Sequence, residues 1–251
     1  MSGLPPRAAI ECIDQALVLG RQNFWRLLRL GLIPLLFFYL VAHLLAGRLL
    51  GYWRIPANIG LYGIYGVIEA LTTVGAWDVL HGKTIDVGAV WRRVTGRLGS
   101  VVVSSWLRLT ILLFATIALV IPAIYLFAAY FAVPGINVLE DLGPWDSLVR
   151  SRKLALGSIG GILLSLGVFW LLGWIIAVAI PRGLLALEVR PRSPIYVATA
   201  IVWAACIIPF QGALIASVYL ELRKRKEGYD LQHLMDLLPE SPRPTIAPLG
   251  A

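Results

Sequence analysis

Long apolar runs separated by short basic stretches dominate the sequence. Each run is close to the roughly 20 residues that a helix needs to cross a hydrocarbon layer about 30 Å thick. Six spans are predicted, at residues 27–46, 59–80, 101–121, 122–139, 159–180 and 195–220. The pattern therefore predicts an all-α fold, a polytopic membrane bundle of six transmembrane helices.

The boundary between the third and fourth spans depends on a proline. From Val101 to Leu139 the only charged residue before the end of the run is Arg108. At about 1.5 Å per residue, one helix of that length would be roughly 60 Å long, far more than one span. Proline can begin a helix but disrupts one from within, so we predict a tight hairpin near Ile121–Pro122. The alternative is one span followed by a re-entrant segment that turns at Pro134-Gly135.

The distribution of basic residues favours six spans. The segments on the N-terminal side of the predicted membrane contain sixteen Lys and Arg residues, and the opposite loops contain five. An excess of Lys and Arg marks the cytoplasmic side of membrane proteins. We therefore expect a multi-pass protein of the cell (inner) membrane with both termini in the cytoplasm.

A short amphipathic segment precedes each odd-numbered span, which predicts three helical hairpins in series. Apolar residues at helical spacing next to charges are typical of helices in the membrane interface. These residues are Ile10, Ile13 and Leu17, then Val87, Val90, Trp91 and Val94, then Trp145, Leu148 and Val149.

Three clusters of basic residues, here called the basic segments, lie on the predicted cytoplasmic side. They are Arg92 and Arg93; Arg150, Arg152 and Lys153; and Arg223, Lys224, Arg225 and Lys226. Basic clusters next to a span attract anionic lipid. We expect these residues to face membrane phospholipid or a protein partner.

Small residues predict close helix packing. Gly157 and Gly161 form a GxxxG motif at the start of the fifth span, and Gly60, Gly63 and Gly66 recur in the second. Such residues let helix backbones approach within lipid. The packing would serve either the bundle itself or a homo-oligomer.

Composition excludes a water-soluble protein. Hydrophobic residues make up 59% of the chain and charged residues 14%, whereas soluble domains carry about 25% charged residues. The net charge of +8 lies mainly beside spans, so no nucleic-acid partner is expected. Residues 1–238 are predicted to form one integral membrane domain, followed by a disordered proline-rich tail at 239–251.

Two charged residues lie inside predicted spans, Glu69 in the second and Arg108 in the third. A charge within a span is costly and is a functional candidate. We expect the two at similar depth on neighbouring helices, as a structural ion pair or as part of a transport or proton site.

No arrangement of residues typical of an enzyme is present. The three histidines are far apart, and there is no GxSxG motif or phosphate-binding loop. Glu140, Asp141 and Asp146 precede basic residues, which predicts a salt-bridge network rather than a metal site. We expect no enzymatic activity, cofactor or metal.

Two stretches resemble a known family. Residues 134–157 contain Pro134-Gly135, Glu140, Gly143-Pro-Trp145 and the run from Leu148 to Gly157; residues 219–231 contain Tyr219, Arg223 and Arg225-Lys-Glu-Gly-Tyr-Asp-Leu231. Together they resemble the membrane-domain family named after glycerophosphoryl diester phosphodiesterases, which includes the YciC-like proteins. The resemblance covers residues 10–238. It implies no hydrolysis, because in the named enzymes that reaction belongs to a separate (β/α)₈ barrel of typically ~250 residues.

Two functions follow as expectations. The first is a non-enzymatic interaction or accessory module whose basic segments face anionic lipid or a partner. The second is a transporter or lipid-handling protein with a polar intramembrane site at Glu69 and Arg108.

Overall fold

The computed structural model describes residues 6–48, 54–186 and 193–228. Every regular element in these ranges is an α-helix, which confirms the all-α prediction. The helices are α1 (Pro6–Gln22), α2 (Phe24–Arg48), α3 (Arg54–Leu80), α4 (Val87–Thr95), α5 (Leu98–Ala118), α6 (Val120–Ala129), α7 (Val133–Leu139), α8 (Pro144–Ala155), α9 (Ile159–Ala186) and α10 (Pro194–Glu227). The predicted tail at 239–251 lies outside the described residues.

Among the described residues, five segments are long and apolar enough to cross a membrane. They are Phe24–Ala42, Leu98–Ala118, Val120–Leu139, Ile159–Ile180 and Ala198–Glu227. These match all the predicted spans except the second, which falls on α3. The described part of α3 carries Glu69 and Asp78 and does not meet the same measure of apolarity. A multi-pass helical bundle is therefore shown, and the sixth span stays a prediction.

The third and fourth predicted spans form a hairpin. Near its open end the Asn137 side-chain amide donates to Ser100 Oγ at 2.8 Å. Nearer the turn Arg108 Nη1 lies 3.4 Å from the Tyr130 carbonyl oxygen. The turn is at Leu119, whose backbone is extended, slightly before the predicted Ile121–Pro122. Pro122 therefore lies inside the first turn of α6. Proline is tolerated there because the N–H groups of a first helical turn have no intrahelical partner.

The fourth predicted span is broken rather than continuous. Helix α6 ends at Ala129 and α7 begins at Val133. Pro134 has no N–H to donate to the Tyr130 carbonyl, as a continuous helix would require. Side chains donate to the carbonyl oxygens at the break instead. Arg108 Nη1 donates to the Tyr130 carbonyl, and Ser151 Oγ donates to the Ala129 carbonyl at 2.8 Å. The chain continues through a buried α7 instead of turning back at Pro134-Gly135.

Helix α3 lies at the centre of the bundle, in contact with α2, α5, α7 and α10. Glycines allow the closest approaches. A Cβ on Gly66 would overlap Ser105 of α5, and one on Gly212 of α10 would lie 2.5 Å from Thr72 Cβ. The small-residue face predicted for the second span is thus used within the bundle.

The prediction that Gly157 and Gly161 together form a helix-packing motif is wrong for Gly157. Gly157 lies in the turn before α9 with φ +77°, where a Cβ would meet nothing within 4 Å. A positive φ favours glycine because it has no Cβ, so this residue serves the turn and not helix packing. Gly161 does lie on α9 and is buried. One turn on, Ser165 Oγ donates to the Ala9 carbonyl at 3.2 Å, which joins α9 to α1.

The three amphipathic segments are helices with different surroundings. In α1 most of the residues that pack inward are small, including Ala8 and Ala16. Of the predicted apolar residues, Ile13 packs against the core, whereas Ile10 and Leu17 are exposed. In α8, Trp145 is likewise exposed. Helix α4 differs from its prediction: Val90 and Val94 are fully buried in the protein core. Because α4 folds back on α3, its apolar face is covered by protein.

Candidate functional site

Glu69 and Arg108 form a two-pronged ion pair in the middle of the bundle. Arg108 Nη1 donates to Glu69 Oε1 and Nη2 to Oε2, both at 2.8 Å. The side chains are 3% and 7% exposed. Parallel N–H···O bonds between guanidinium and carboxylate are among the strongest in proteins. The structure thus joins the two residues that the sequence placed at similar depth.

The close packing of α3 on α5 brings this pair together. Gly66 precedes Glu69 by about one turn and lies against Ser105, which precedes Arg108 by about one turn. Two further acceptors hold the guanidinium: the Tyr62 hydroxyl at 3.1 Å from Nη2 and the Tyr130 carbonyl at the α6–α7 break. The charge of each partner is therefore compensated within a water-poor interior.

A cavity of about 490 Å³ adjoins the ion pair. Its polar lining comes from Glu69 and Arg108 together with Tyr62, Tyr65 and Gln211, and the rest is aromatic or aliphatic. The Tyr65 hydroxyl donates to Gln211 Oε1 at 2.7 Å, which links α3 to α10 beside the pair. Small-molecule sites typically have this composition, mostly apolar with a few convergent polar groups.

A second cavity, of about 340 Å³, adjoins the first between α2, α9 and α10. Phe38, Tyr65, Phe169, Trp170 and Gln211 line both. The other residues that line the second cavity are mostly apolar; they include Tyr39, whose hydroxyl donates to the Ala200 carbonyl at 3.3 Å. Phe127, Trp170 and Trp174, at the edges of the two cavities, are 40%, 39% and 63% exposed. The combined cleft therefore reaches the outer surface of the bundle.

A second polar cluster lies at the end of the bundle that carries the basic segments. Arg150 of α8 donates to Glu140 from Nε at 2.6 Å and from Nη2 at 2.9 Å, and Nη2 also donates to Glu227 at 2.9 Å. The buried Tyr219 hydroxyl donates to Glu140. Arg223 donates to Glu227 at 3.1 Å. The two family-like stretches, at 134–157 and 219–231, thus meet in one network.

This network is balanced in charge and linked to α3. Two guanidiniums face two carboxylates, and the Arg223 guanidinium lies 6.0 Å from the centre of the Trp77 ring. Burial acts to lower the pKa of Arg150, but its hydrogen bonds to Glu227 and Glu140 outweigh this and raise the pKa. Two of the three acidic residues predicted to form a salt-bridge network form salt bridges. Glu140 pairs with Arg150, as predicted, whereas Asp141 pairs with Arg97, which was not among the predicted partners.

The basic segments are less available for binding anionic lipid or a partner than the sequence suggests. Arg150 and Arg223, expected to face lipid or a partner, are held by Glu140 and Glu227, whose carboxylates compete with external anions. Three others also have partners within the protein: Arg93 with Asp78, Arg225 with Glu221, and Lys226 with the Leu156 carbonyl. Lys224 is partly buried, whereas Arg92, Arg152 and Lys153 are exposed.

Sequence reasoning missed Tyr62, Tyr65 and Gln211. Tyr62 and Tyr65 precede Glu69 at helical spacing, which places them on the same side of α3. Gln211 is an uncharged polar residue within an apolar run. Either feature could have indicated a polar patch inside the membrane.

No group of three or more His, Cys, Asp or Glu residues suited to a metal occurs in residues 6–48, 54–186 and 193–228.

Comparisons with protein-family models, with curated proteins and with solved structures find no match to this chain. The family resemblance read from residues 134–157 and 219–231 therefore stays a prediction.

Proposed function

We propose that this protein binds an amphiphile, such as a lipid, in the intramembrane cleft beside Glu69 and Arg108. The observation that carries this proposal is that a cavity with a polar centre adjoins a second, mostly apolar and aromatic cavity. Some of the residues that line the two cavities are exposed on the outer surface of the bundle. An amphiphile has the same division into a polar head and an apolar tail.

Binding or transfer is better supported than chemical conversion. Both Glu69 oxygens already accept from Arg108, so the carboxylate is not a free base, and the guanidinium is held in place by four acceptors. This geometry favours the lipid-handling hypothesis over an interaction module built on the basic segments, several of whose side chains are neutralised internally.

The exposed basic residues support an orientation in the membrane. Arg92, Arg152 and Lys153 lie on helices that the salt bridges and hydrogen bonds described above hold at the same end of the bundle. We propose that this end faces the cytoplasm, where anionic lipid attracts such charges. They would anchor the protein while the cleft takes its ligand from the bilayer.

The test is retention of an amphiphile by the purified protein. Leu112→Trp should fill the cavity, because Leu112 lines it. Leu113→Trp is the matched control, because Leu113 is 46% exposed on α5 and is not among the cavity-lining residues. Native mass spectrometry should find a bound amphiphile in the wild type and in Leu113→Trp, and a loss of it in Leu112→Trp. Equal retention by the two variants, or none in the wild type, would refute the proposal.

A further inference from the structure

The hydrogen-bond donors at the cavity define the head group that it can take. An arginine has five N–H donors. In Arg108, the four on Nη1 and Nη2 match four acceptors: two Glu69 oxygens, the Tyr130 carbonyl and the Tyr62 hydroxyl. The fifth, on the buried Nε, has no partner among the described residues. This nitrogen is shielded from the cavity, so all five donors of Arg108 are either used within the protein or out of reach of a ligand.

Two uncharged groups supply donors instead. Gln211 accepts the Tyr65 hydroxyl through Oε1, which leaves the side-chain amide nitrogen to donate. Tyr62 accepts from Arg108, and its own hydroxyl hydrogen can be donated in turn. Gln211 and Tyr62 both line the cavity. The site thus offers a ligand donors from one amide and one phenol.

The charge of the site is already balanced. Within the described part of the chain, the only charged residues that line the two cavities are Glu69 and Arg108, and they neutralise each other. An anionic head such as a phosphate would enter an apolar interior without a free counter-charge. Burying an unpaired charge is far more costly than burying a neutral group that receives hydrogen bonds.

We infer that the cleft selects an uncharged amphiphile whose head presents hydrogen-bond acceptors, namely carbonyl or ester oxygens. The head would accept from the Gln211 side-chain amide and the Tyr62 hydroxyl, and the apolar tail would lie in the second cavity, along Trp170 and Trp174. This inference rests on the proposed function. Two membrane components share the required chemistry, a diacylglycerol and a quinone with an isoprenoid tail.

The experiment compares competitors with different head groups, of which the two dioleoyl lipids have the same tails. The purified full-length protein would be incubated with a diacylglycerol that carries a photoreactive, clickable acyl chain, and captured probe would be read on a gel. Competitors would be dioleoylglycerol, dioleoyl phosphatidic acid and an isoprenoid benzoquinone. We expect dioleoylglycerol or the quinone to displace the probe at a concentration about tenfold or more below that of phosphatidic acid. The one that competes better identifies the source.

A variant links this preference to the site. Gln211→Leu should weaken the neutral competitor about fivefold, as loss of one hydrogen bond of ~1 kcal/mol implies, and should leave phosphatidic acid unchanged. Tyr62→Phe serves the same purpose if Gln211→Leu does not fold.

The outcomes separate the two proposals. Phosphatidic acid that competes as well as the better of the two neutral competitors would overturn the head-group inference, while capture that Leu112→Trp abolishes would still uphold the cleft. Failure of the wild type to capture any probe or retain any amphiphile would overturn both.

Discussion

Replacing Glu69 by Gln tests whether the ion pair is as buried and as complete as the structure shows. The substitution keeps the shape of the side chain but exchanges one acceptor oxygen for an amide donor that faces Arg108. One prong of the pair is lost, and the guanidinium, only 7% exposed, keeps its charge. Removing one partner of a buried ion pair typically costs about 3–5 kcal/mol. We expect a loss in that range in the free energy of unfolding.

The assay is unfolding of the detergent-solubilised protein, followed by tryptophan fluorescence. Glu221→Gln is the matched control, because the Arg225–Glu221 pair lies one helical turn apart on partly exposed side chains and should contribute only about 0.5 kcal/mol. Adding Arg108→Leu to Glu69→Gln removes the unpaired charge. The double variant should be more stable than the sum of the single effects predicts, by about 2–3 kcal/mol. A cost below about 1 kcal/mol for Glu69→Gln, close to that of the control, would refute the buried-pair account.

Three further predictions concern packing, the polar network and a thiol. Gly66→Ala should destabilise the protein by about 1–3 kcal/mol because its Cβ would overlap Ser105. Gly160→Ala, which has open space around it, should not. Equal unfolding midpoints for the two variants would contradict the close α3–α5 contact. Tyr219→Phe should cost about 1–2 kcal/mol through loss of the hydroxyl bond to Glu140, and Tyr125→Phe, on a partly exposed surface, should be close to neutral in the same unfolding assay. Burial of α1 against α10 raises the pKa of the Cys12 thiol to about 12, so at pH 8 almost no thiolate forms. In a Cys206→Ser background, a membrane-permeant maleimide should therefore label Cys12 only after denaturation. Rapid labelling of the native protein would show that α1 does not pack on α10.

Much of the helix layout could be predicted because lipid imposes it. A span must be apolar and about 20 residues long, so hydropathy alone placed the starts of α9 and α10 close to those observed, while both helices continue beyond the predicted spans. The α5–α6 hairpin could be predicted from length, since one helix of 39 mostly apolar residues would be too long for a bilayer. The exact turn could not be predicted, because Pro122 is acceptable at several positions of a first helical turn.

The side-chain partners across the bundle were harder to predict. In a membrane helix both the lipid-facing and the protein-facing sides are apolar, so hydropathy does not show how α3 and α10 are rotated. The Tyr65–Gln211 bond depends on that rotation. Charged residues were an exception: Glu69 and Arg108 were paired from the sequence because a charge in a span needs a partner nearby.

Partners at the bundle end also depended on tertiary structure. Arg150 and Arg223 appeared in the sequence as parts of basic clusters and were expected to face lipid. Their acceptor Glu227 lies 77 residues from Arg150, and only the fold brings the two together. Gly157 was misread for a local reason, since a GxxxG spacing does not reveal that its first glycine has positive φ.

The most direct test of the intramembrane binding site is photochemical capture from native membranes. A photoreactive benzoyl-phenylalanine would replace Phe131, which lines the cavity and is only 4% exposed. The matched control would carry it at Phe114, which is 67% exposed on α5. If the cleft holds an amphiphile, the probe at 131 captures one class of lipid in spite of its burial, while the probe at 114 captures the mixed bulk lipid. If position 114 captures lipid and position 131 captures none, the cleft is empty and the account is wrong.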